Sequence, residues 1–274
     1  MSADELVFVK LGGSLITDKT RPFTAREDVI ARLAEELAQA RMARPDLCLL
    51  LGHGSGSFGH VVGQRYGTRS GVHDEEGWRG FVETAAAAAR LNRLVTDIML
   101  AAGLPAWSLQ PSAMARCHDG RLISLGWEMI KRALAVGLVP LVYGDVALDE
   151  VRGGTIVSTE ELFAYLALWL RPCRIILAGE VDGVFTADPL QDPMARVIPW
   201  LSPQAITAGK LDLGGGMGID VTGGMASKVA TMSELVQQMP KLTVHLISGR
   251  VPGRLAQVLI NPEYPAGTRI CCER

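Results

Sequence analysis

The chain has 274 residues, 48% of them apolar, with 27 Lys and Arg against 29 Asp and Glu and a net charge of −2. That length supplies the core of one large α/β domain or of two unequal lobes, and the near-neutral balance excludes a surface built to neutralise a nucleic-acid backbone. Five cysteines without a CxxC spacing suit a reducing compartment. Asp4 and Glu5 before a short apolar run, and no apolar stretch near ~20 residues, point to a cytoplasmic protein with neither signal peptide nor membrane span.

Residues 6–11 form a β-rich run that ends in Gly12-Gly13, and residues 25–42 carry Val29, Ile30, Leu33 and Leu37 at helical spacing. Residues 47–51 are almost wholly apolar, as expected of a strand buried on both faces, and again end in glycine. The pattern then predicts a helix over 78–102, a strand over 106–109, a helix over 127–136 and a strand over 138–143. Runs near 145–148 and 154–157 read as a hairpin laid beside the main sheet. A helix over 159–170 has acidic residues in its first turn. A strand over 173–178, a helix over 225–239 and strands over 242–247, 256–260 and 268–270 complete the chain. Repeated β-α-β units give an α/β fold, a three-layer αβα sandwich with a mainly parallel central sheet. A single domain spanning 1–274 is expected, with lobes of 1–175 and 176–274 that meet inside one continuous sheet.

Three glycine-rich stretches sit where strands hand over to loops or helices: Lys10 to Ser14, Gly52 to His60, and Gly214 to Met225. Glycine lets backbone N–H groups crowd around an anion, and a helix N-terminus adds its positive end. The Walker pattern G-x-x-x-x-G-K-[ST] is absent. Gly54-Ser-Gly-Ser-Phe-Gly59 matches G-x-G-x-x-G, but Gly63, Gly67 and Gly71 follow where a dinucleotide fold wants a firm amphipathic helix. His53-Gly-Ser-Gly has the look of an esterase oxyanion loop, yet no G-x-S-x-G nucleophile elbow exists. Of the 27 basic residues only six are lysines, at 10, 19, 131, 210, 228 and 241.

Val9 to Lys19, Gly52 to His60, Tyr143-Gly-Asp145, Val181 to Phe185 and Asp220 to Lys228 together resemble the amino acid kinase superfamily, in order over nearly the whole chain. The Ile-Thr-Asp-Lys and Ser-Phe-Gly-His elements are similar to its phosphate-accepting branch, the isopentenyl phosphate kinases, and are shared with the fosfomycin kinases. The resemblance implies transfer of the γ-phosphoryl group of ATP to isopentenyl phosphate, with Mg²⁺ carried mainly by the nucleotide, the acceptor in the N-terminal lobe, nucleotide in the C-terminal lobe, and a homodimer formed through the N-terminal lobe. Such chemistry needs point cations and N–H donors more than a nucleophile.

Lys10 is expected over the transferring group and Lys228 at the β/γ-phosphates, while Gly12, Gly13 and Ser14 supply donors and Lys19 is the second lysine of the branch. Asp182, Gly183 and Gly224 belong to the nucleotide motifs; Gly54, Ser55, Gly56, Gly59 and Asp145 belong to the acceptor side. His60 would hold the acceptor phosphate, which brings an oxygen already ionised and needs no general base. His53, His73, His118 and His245 read as structural. Two departures stand out: Ser55 replaces a glycine common in relatives, and Glu160 stands where relatives often carry Gly-Asp, with a longer reach for orienting the lysines. The small residues Thr84 to Ala89 could face an apolar acceptor pocket, or simply pack closely. Arg65, Arg69 and Arg79 read as near the acceptor or as surface charge. A phosphonate, carboxylate or carbamate kinase of the same fold, or a nucleotide-binding protein without turnover, remain open alternatives.

Overall fold

The computed structural model describes residues 5–187, 192–207 and 223–272. The glycine cluster at 214–218, Lys210 and Asp220 lie outside the described residues. Strand β1 (Glu5–Leu11) runs through Gly12 into the one-turn helix α1 (Gly13–Ile16), and helix α2 (Glu27–Ala43) leads to β2 (Leu47–His53). Helices α3 (Gly56–Tyr66) and α4 (Glu75–Ala101) follow. Then come β3 (Ala106–Ser108), the hairpin β4 (Ala115–His118) and β5 (Arg121–Leu125), α5 (Trp127–Ala135) and β6 (Val139–Tyr143). A second hairpin, β7 (Asp145–Asp149) and β8 (Gly153–Val157), precedes α6 (Thr159–Leu170) and β9 (Arg174–Gly179). The chain continues through β10 (Trp200–Leu201), α7 (Pro203–Thr207), α8 (Gly223–Gln238), β11 (Thr243–Ser248), α9 (Arg254–Ile260) and β12 (Thr268–Ile270).

The main sheet has the order β10-β12-β11-β9-β1-β2-β6-β3, and its pairings are parallel except for β11 with β12. Side chains alternate across it. Val7, Val9 and Leu11 of β1 join a core with α2, α4 and α9, while Phe8 joins the opposite core with α5, α6 and α8. Lys10 has the parity of Phe8, so it emerges on the side of α6 and α8. Val229, Met232, Val236 and Met239 are buried in that second core, as their helical spacing predicts. Strand β9 is bonded to β1 on one side and β11 on the other, so the sheet is continuous at residue 175.

Several expectations need correction. Residues 256–260, expected as strand, belong to helix α9: Leu255, Val258 and Leu259 bury one helical stripe, and the Glu36 carboxylate accepts the Leu255 and Ala256 N–H groups at the helix start. Seven apolar-rich residues fit either state by composition, and the partner helix decides. The glycine-rich 56–66 segment is also helical, because Phe58, Val62 and Gly63 bury a face and Gly67 closes the helix at φ +63°. The 145–157 hairpin, expected beside the main sheet, forms with β4 and β5 a separate sheet of order β5-β4-β7-β8. Within 84–89, Thr84, Ala87 and Ala88 are buried, and Ala87 packs in the α2-side core.

Candidate active site

The first turn of α6 rests on β2 at Gly52, where a Cβ would come within 2.6 Å of the Thr159 methyl and 2.8 Å of the Phe163 ring. No other residue permits that approach. Gly52 is the parallel-sheet neighbour of Lys10, so the close contact sets Glu160 beside the lysine. Lys10 Nζ and Glu160 Oε1 form an ion pair, with side chains 7% and 8% exposed. Ser158 caps the helix reciprocally: its hydroxyl accepts the Glu161 N–H at 3.2 Å, and its own N–H donates to the Glu161 carboxylate at 2.6 Å. The Thr159 hydroxyl donates to the His53 carbonyl at 2.6 Å, which ties α6 to the end of β2.

Three lysines share this pocket electrostatically. Burial alone would raise the Glu160 carboxyl, but the charge and hydrogen bond of Lys10 and the charge of Lys228 outweigh it and hold the group below its ordinary value. Lys228, in α8, is pushed down by burial and then by the Lys10 and Lys19 charges, against a partial counterpull from Glu160. Lys19 itself is exposed, on a turn held by Asp18, whose carboxylate accepts from Thr20 N, Thr20 Oγ1 and Arg21 Nε. These bonds bring the Asp18 carboxyl to about 2. Lys10, Lys19, Lys228 and Glu160, drawn from separate motifs of the sequence, thus lie within electrostatic reach of one another.

The two glycine loops pack backbone to backbone. A Cβ on Gly13 would lie 2.5 Å from Gly56 N, and one on Gly54 would lie 2.8 Å from Gly13 N. Thr17 pins the contact: its hydroxyl donates to the Gly13 carbonyl at 2.7 Å and accepts the Ser57 N–H at 2.9 Å. Gly12 N donates to the Ala178 carbonyl, and the Gly12 carbonyl accepts from Leu15 and Ile16. The Gly13 and Ser14 N–H groups have no acceptor among the described residues, as expected at a helix start. Ser55 precedes α3, its hydroxyl lying over Gly59, where a Cβ would come within 2.5 Å. His60 is exposed in the second turn of α3.

Other expected site residues have local duties. The Asp145 carboxylate accepts the Ser112 and Val146 N–H groups, and burial pushes its pKa up. The Asp182 carboxylate pairs with Arg254, and Gly183, at φ +133°, passes so close to Thr268 that a Cβ would lie 2.9 Å from its nitrogen. Gly224 lies in the first turn of α8. Arg69 forks onto Glu161 at 2.7 and 2.9 Å, Arg79 pairs with Glu83, and Arg65 lies over Tyr66. Sequence reasoning missed Thr17 and Asn92. Asn92 carries a signal: it is the one amide on the buried face of α4, among Ala88, Leu91, Val95, Thr96 and Met99.

An exposed lysine, a buried and a half-buried one sharing a carboxylate, and the Gly13 and Ser14 N–H groups beside them, free among the described residues, form a receptor for a chain of phosphates. Comparison with known proteins bears on which one. The chain is 36% identical to the isopentenyl phosphate kinase of Methanothermobacter thermautotrophicus, over 97% of its own length and 98% of that protein's. It is 39% identical to the isopentenyl phosphate kinase of Haloferax volcanii over 84% of this chain and 88% of that one. A crystal structure of isopentenyl phosphate kinase superposes with a TM-score of 0.82 at 33% identity, covering 97% of this chain and 100% of that one. The product complex of the Thermoplasma acidophilum isopentenyl phosphate kinase gives 0.77 at 27% identity, covering 97% and 99%. The model of the amino acid kinase family matches residues 5–248, and the chain belongs to that family.

Proposed function

We propose that this protein phosphorylates isopentenyl phosphate to isopentenyl diphosphate with ATP. The observation that carries the reading is the buried Lys10–Glu160 pair with Lys228 beside it, a cationic pocket at the foot of two interlocked glycine loops. Relatives named for this activity align over almost the whole chain. The acceptor phosphate would sit at the N-terminal end of α3, held by the Ser55 and Gly56 backbone and by His60, in a loop whose Gly54 N–H is engaged by the Leu11 carbonyl. The nucleotide would lie toward α8, its phosphates on Gly13, Ser14 and Lys228, with Asp182, Gly183 and Gly224 bordering it; Gly12, expected as a further donor, has its N–H engaged by the Ala178 carbonyl.

Lysine ammoniums and N–H groups suit phosphate oxygens and repel a metal cation. Mg²⁺ would therefore be held by the phosphates, where it neutralises charge as the bond to the leaving ADP breaks. Lys10 would stabilise the charge on the transferring group, and Glu160 would hold Lys10 in place until nucleotide arrives. An acceptor oxygen that is already ionised attacks without a general base. Among the described residues no helix is long and apolar enough to cross a membrane. By resemblance the chain would pair as a homodimer through its N-terminal lobe, which sedimentation tests.

The test is transfer from Mg-ATP to a panel of isopentenyl phosphate, dimethylallyl phosphate, fosfomycin, acetylglutamate and carbamate. Turnover is expected with a prenyl phosphate; turnover confined to fosfomycin or a carboxylate would replace this reading with the corresponding kinase. No turnover with any acceptor would favour a nucleotide-binding protein.

A further inference from the structure

We propose that His53 is a positioning residue: a buried Ser108–Asn92 relay locks it as the neutral Nδ1–H tautomer, and through that hydrogen it holds the Gly54 carbonyl and so the loop that cradles the acceptor phosphate. The part concerning the acceptor rests on the function proposed above; the tautomer does not.

The hydrogen bonds permit one direction only. His53 is fully buried, with Nδ1 3.1 Å from the Gly54 carbonyl oxygen and Nε2 3.1 Å from Asn92 Nδ2. A carbonyl oxygen can only accept, so Nδ1 carries the hydrogen. Nε2 of that tautomer is a bare acceptor and takes a hydrogen from the Asn92 amide. Asn92 Oδ1 in turn accepts from the Ser108 hydroxyl. Reversing the amide would leave Nδ1 and the Gly54 carbonyl as two facing acceptors in a fully buried site.

A second proton would set Nε2–H against the Asn92 N–H, two donors face to face. The groups around the ring are Tyr143 of β6, stacked at 5.5 Å, Lys10 of β1, and the uncharged Asn92 of α4 and Thr159 of α6. None is an anion that would welcome an imidazolium. Burial, joined by the Lys10 charge, accordingly brings the ring down to about 4. A neutral ring adds no fourth cation to a pocket where, among the described residues, Glu160 is the carboxylate that faces Lys10 and Lys228.

The same residue is a structural junction. Its carbonyl accepts the Thr159 hydroxyl and the Gly144 N–H at 3.0 Å, while Gly54 N donates to the Leu11 carbonyl at 3.0 Å. His53 therefore links the acceptor loop, the start of α6 that carries Glu160, and the end of β1.

Two-bond proton–nitrogen correlation spectra of the protein labelled with ¹⁵N-histidine, with His53 assigned by its loss in His53→Asn, report the tautomer directly. A neutral Nδ1–H ring from pH 8 to about 5 is expected; the Nε2–H form, or a midpoint near the ordinary ~6.5, overturns the proposal. Kinetics test the positioning. His53→Leu should raise KM for isopentenyl phosphate about tenfold and leave KM for ATP within about twofold, since one hydrogen bond is lost on the acceptor side alone. His53→Asn, whose amide can stand where Nδ1–H stands, should recover most of the loss. An equal rise in both KM values, or no difference between Asn and Leu, overturns it. Should His53→Leu not fold, Asn92→Asp replaces it: a carboxylate at Nε2 favours the imidazolium, so the acidic limb of kcat/KM for the acceptor should move to higher pH, and an unmoved limb counts against the relay. If the wild-type protein does not turn over isopentenyl phosphate, the proposed function fails while the spectra still decide the tautomer.

Discussion

Lys10 and Glu160 form an ion pair at the point where α6 rests on Gly52, and Glu160 is the carboxylate whose charge acts on both Lys10 and Lys228. Removing one partner of a buried pair leaves the other uncompensated and costs about 3–5 kcal/mol. Glu160→Gln should therefore lower the melting temperature of the free protein. Polyphosphate supplies the missing negative charge, so Mg-ATP should raise the melting temperature more in the variant than in the wild type. Because the Glu160 carboxyl is held below its ordinary 4.5, the pair stabilises fully above that pH and the contribution disappears as pH falls through the lowered value. The variant should lack this acid loss. Equal ligand increments in both proteins would show that Glu160 is not the counter-ion.

Lysine, not merely positive charge, is the expected requirement at positions 10, 19 and 228. A compact ammonium on β1 fits under α6, where the broad guanidinium of arginine has no room, since Lys10 is 6% exposed. Lys10→Ala should lower kcat by ~10² with little change in KM, the signature of a contact made in the transition state. Lys10→Arg, Lys19→Arg and Lys228→Arg should each impair transfer. Lys131→Arg and Lys241→Arg should not, because both side chains are exposed. A rise in KM alone for Lys10→Ala would place that lysine in binding instead.

His60→Ala tests the acceptor side. His60 is exposed on α3, apart from the Lys10–Glu160 pair, so its loss should weaken use of the acceptor far more than ATP binding. Comparing KM for isopentenyl phosphate with ATP affinity by calorimetry checks this, and parallel losses would remove His60 from the acceptor site.

Much of the architecture was legible where local signals agreed. Residues 159–170 carried acidic residues in the first turn of a predicted helix, and the helix has those bounds. The lysines and Glu160 were legible because each sits in a compact motif. Residues 256–260 were misread because the helix they belong to is capped by Glu36, more than 200 residues away. The glycine content of 56–66 hid a helix whose glycines exist for close packing: a Cβ on Gly63 would come within 2.8 Å of the Ile156 side chain. The relay from Asn92 to His53 spans 39 residues, and Thr17 meets Ser57 across 40, so neither pairing is visible before the chain folds.

The interlocked glycine loops make a prediction about stability and activity together. A methyl on Gly13 would meet Gly56 N at 2.5 Å and Gly56 Cα at 2.8 Å, backbone atoms that cannot step aside singly. Gly13→Ala should destabilise by about 1–3 kcal/mol and separate the acceptor loop from the phosphate loop, abolishing transfer. Gly179→Ala, where the added methyl meets open space, should melt like the wild type. If Gly13→Ala retains full activity, the two loops do not need this contact.

The alkaline side of the rate profile reports on Lys228. Burial and the neighbouring lysines depress its pKa below the ordinary 10.5, and the protonated form is the one that attracts phosphate oxygens. As pH rises through the lowered value, Lys228 loses its proton, so kcat/KM for ATP should fall at a pH below 10.5. Lys228→Arg does not titrate there and should lose that limb while lowering the plateau. Glu160 pulls the Lys228 pKa up, so Glu160→Gln should move the limb to lower pH. A limb that stays in place in Glu160→Gln and survives in Lys228→Arg belongs to another group, and the coupling of Glu160 to both lysines would then have no kinetic consequence.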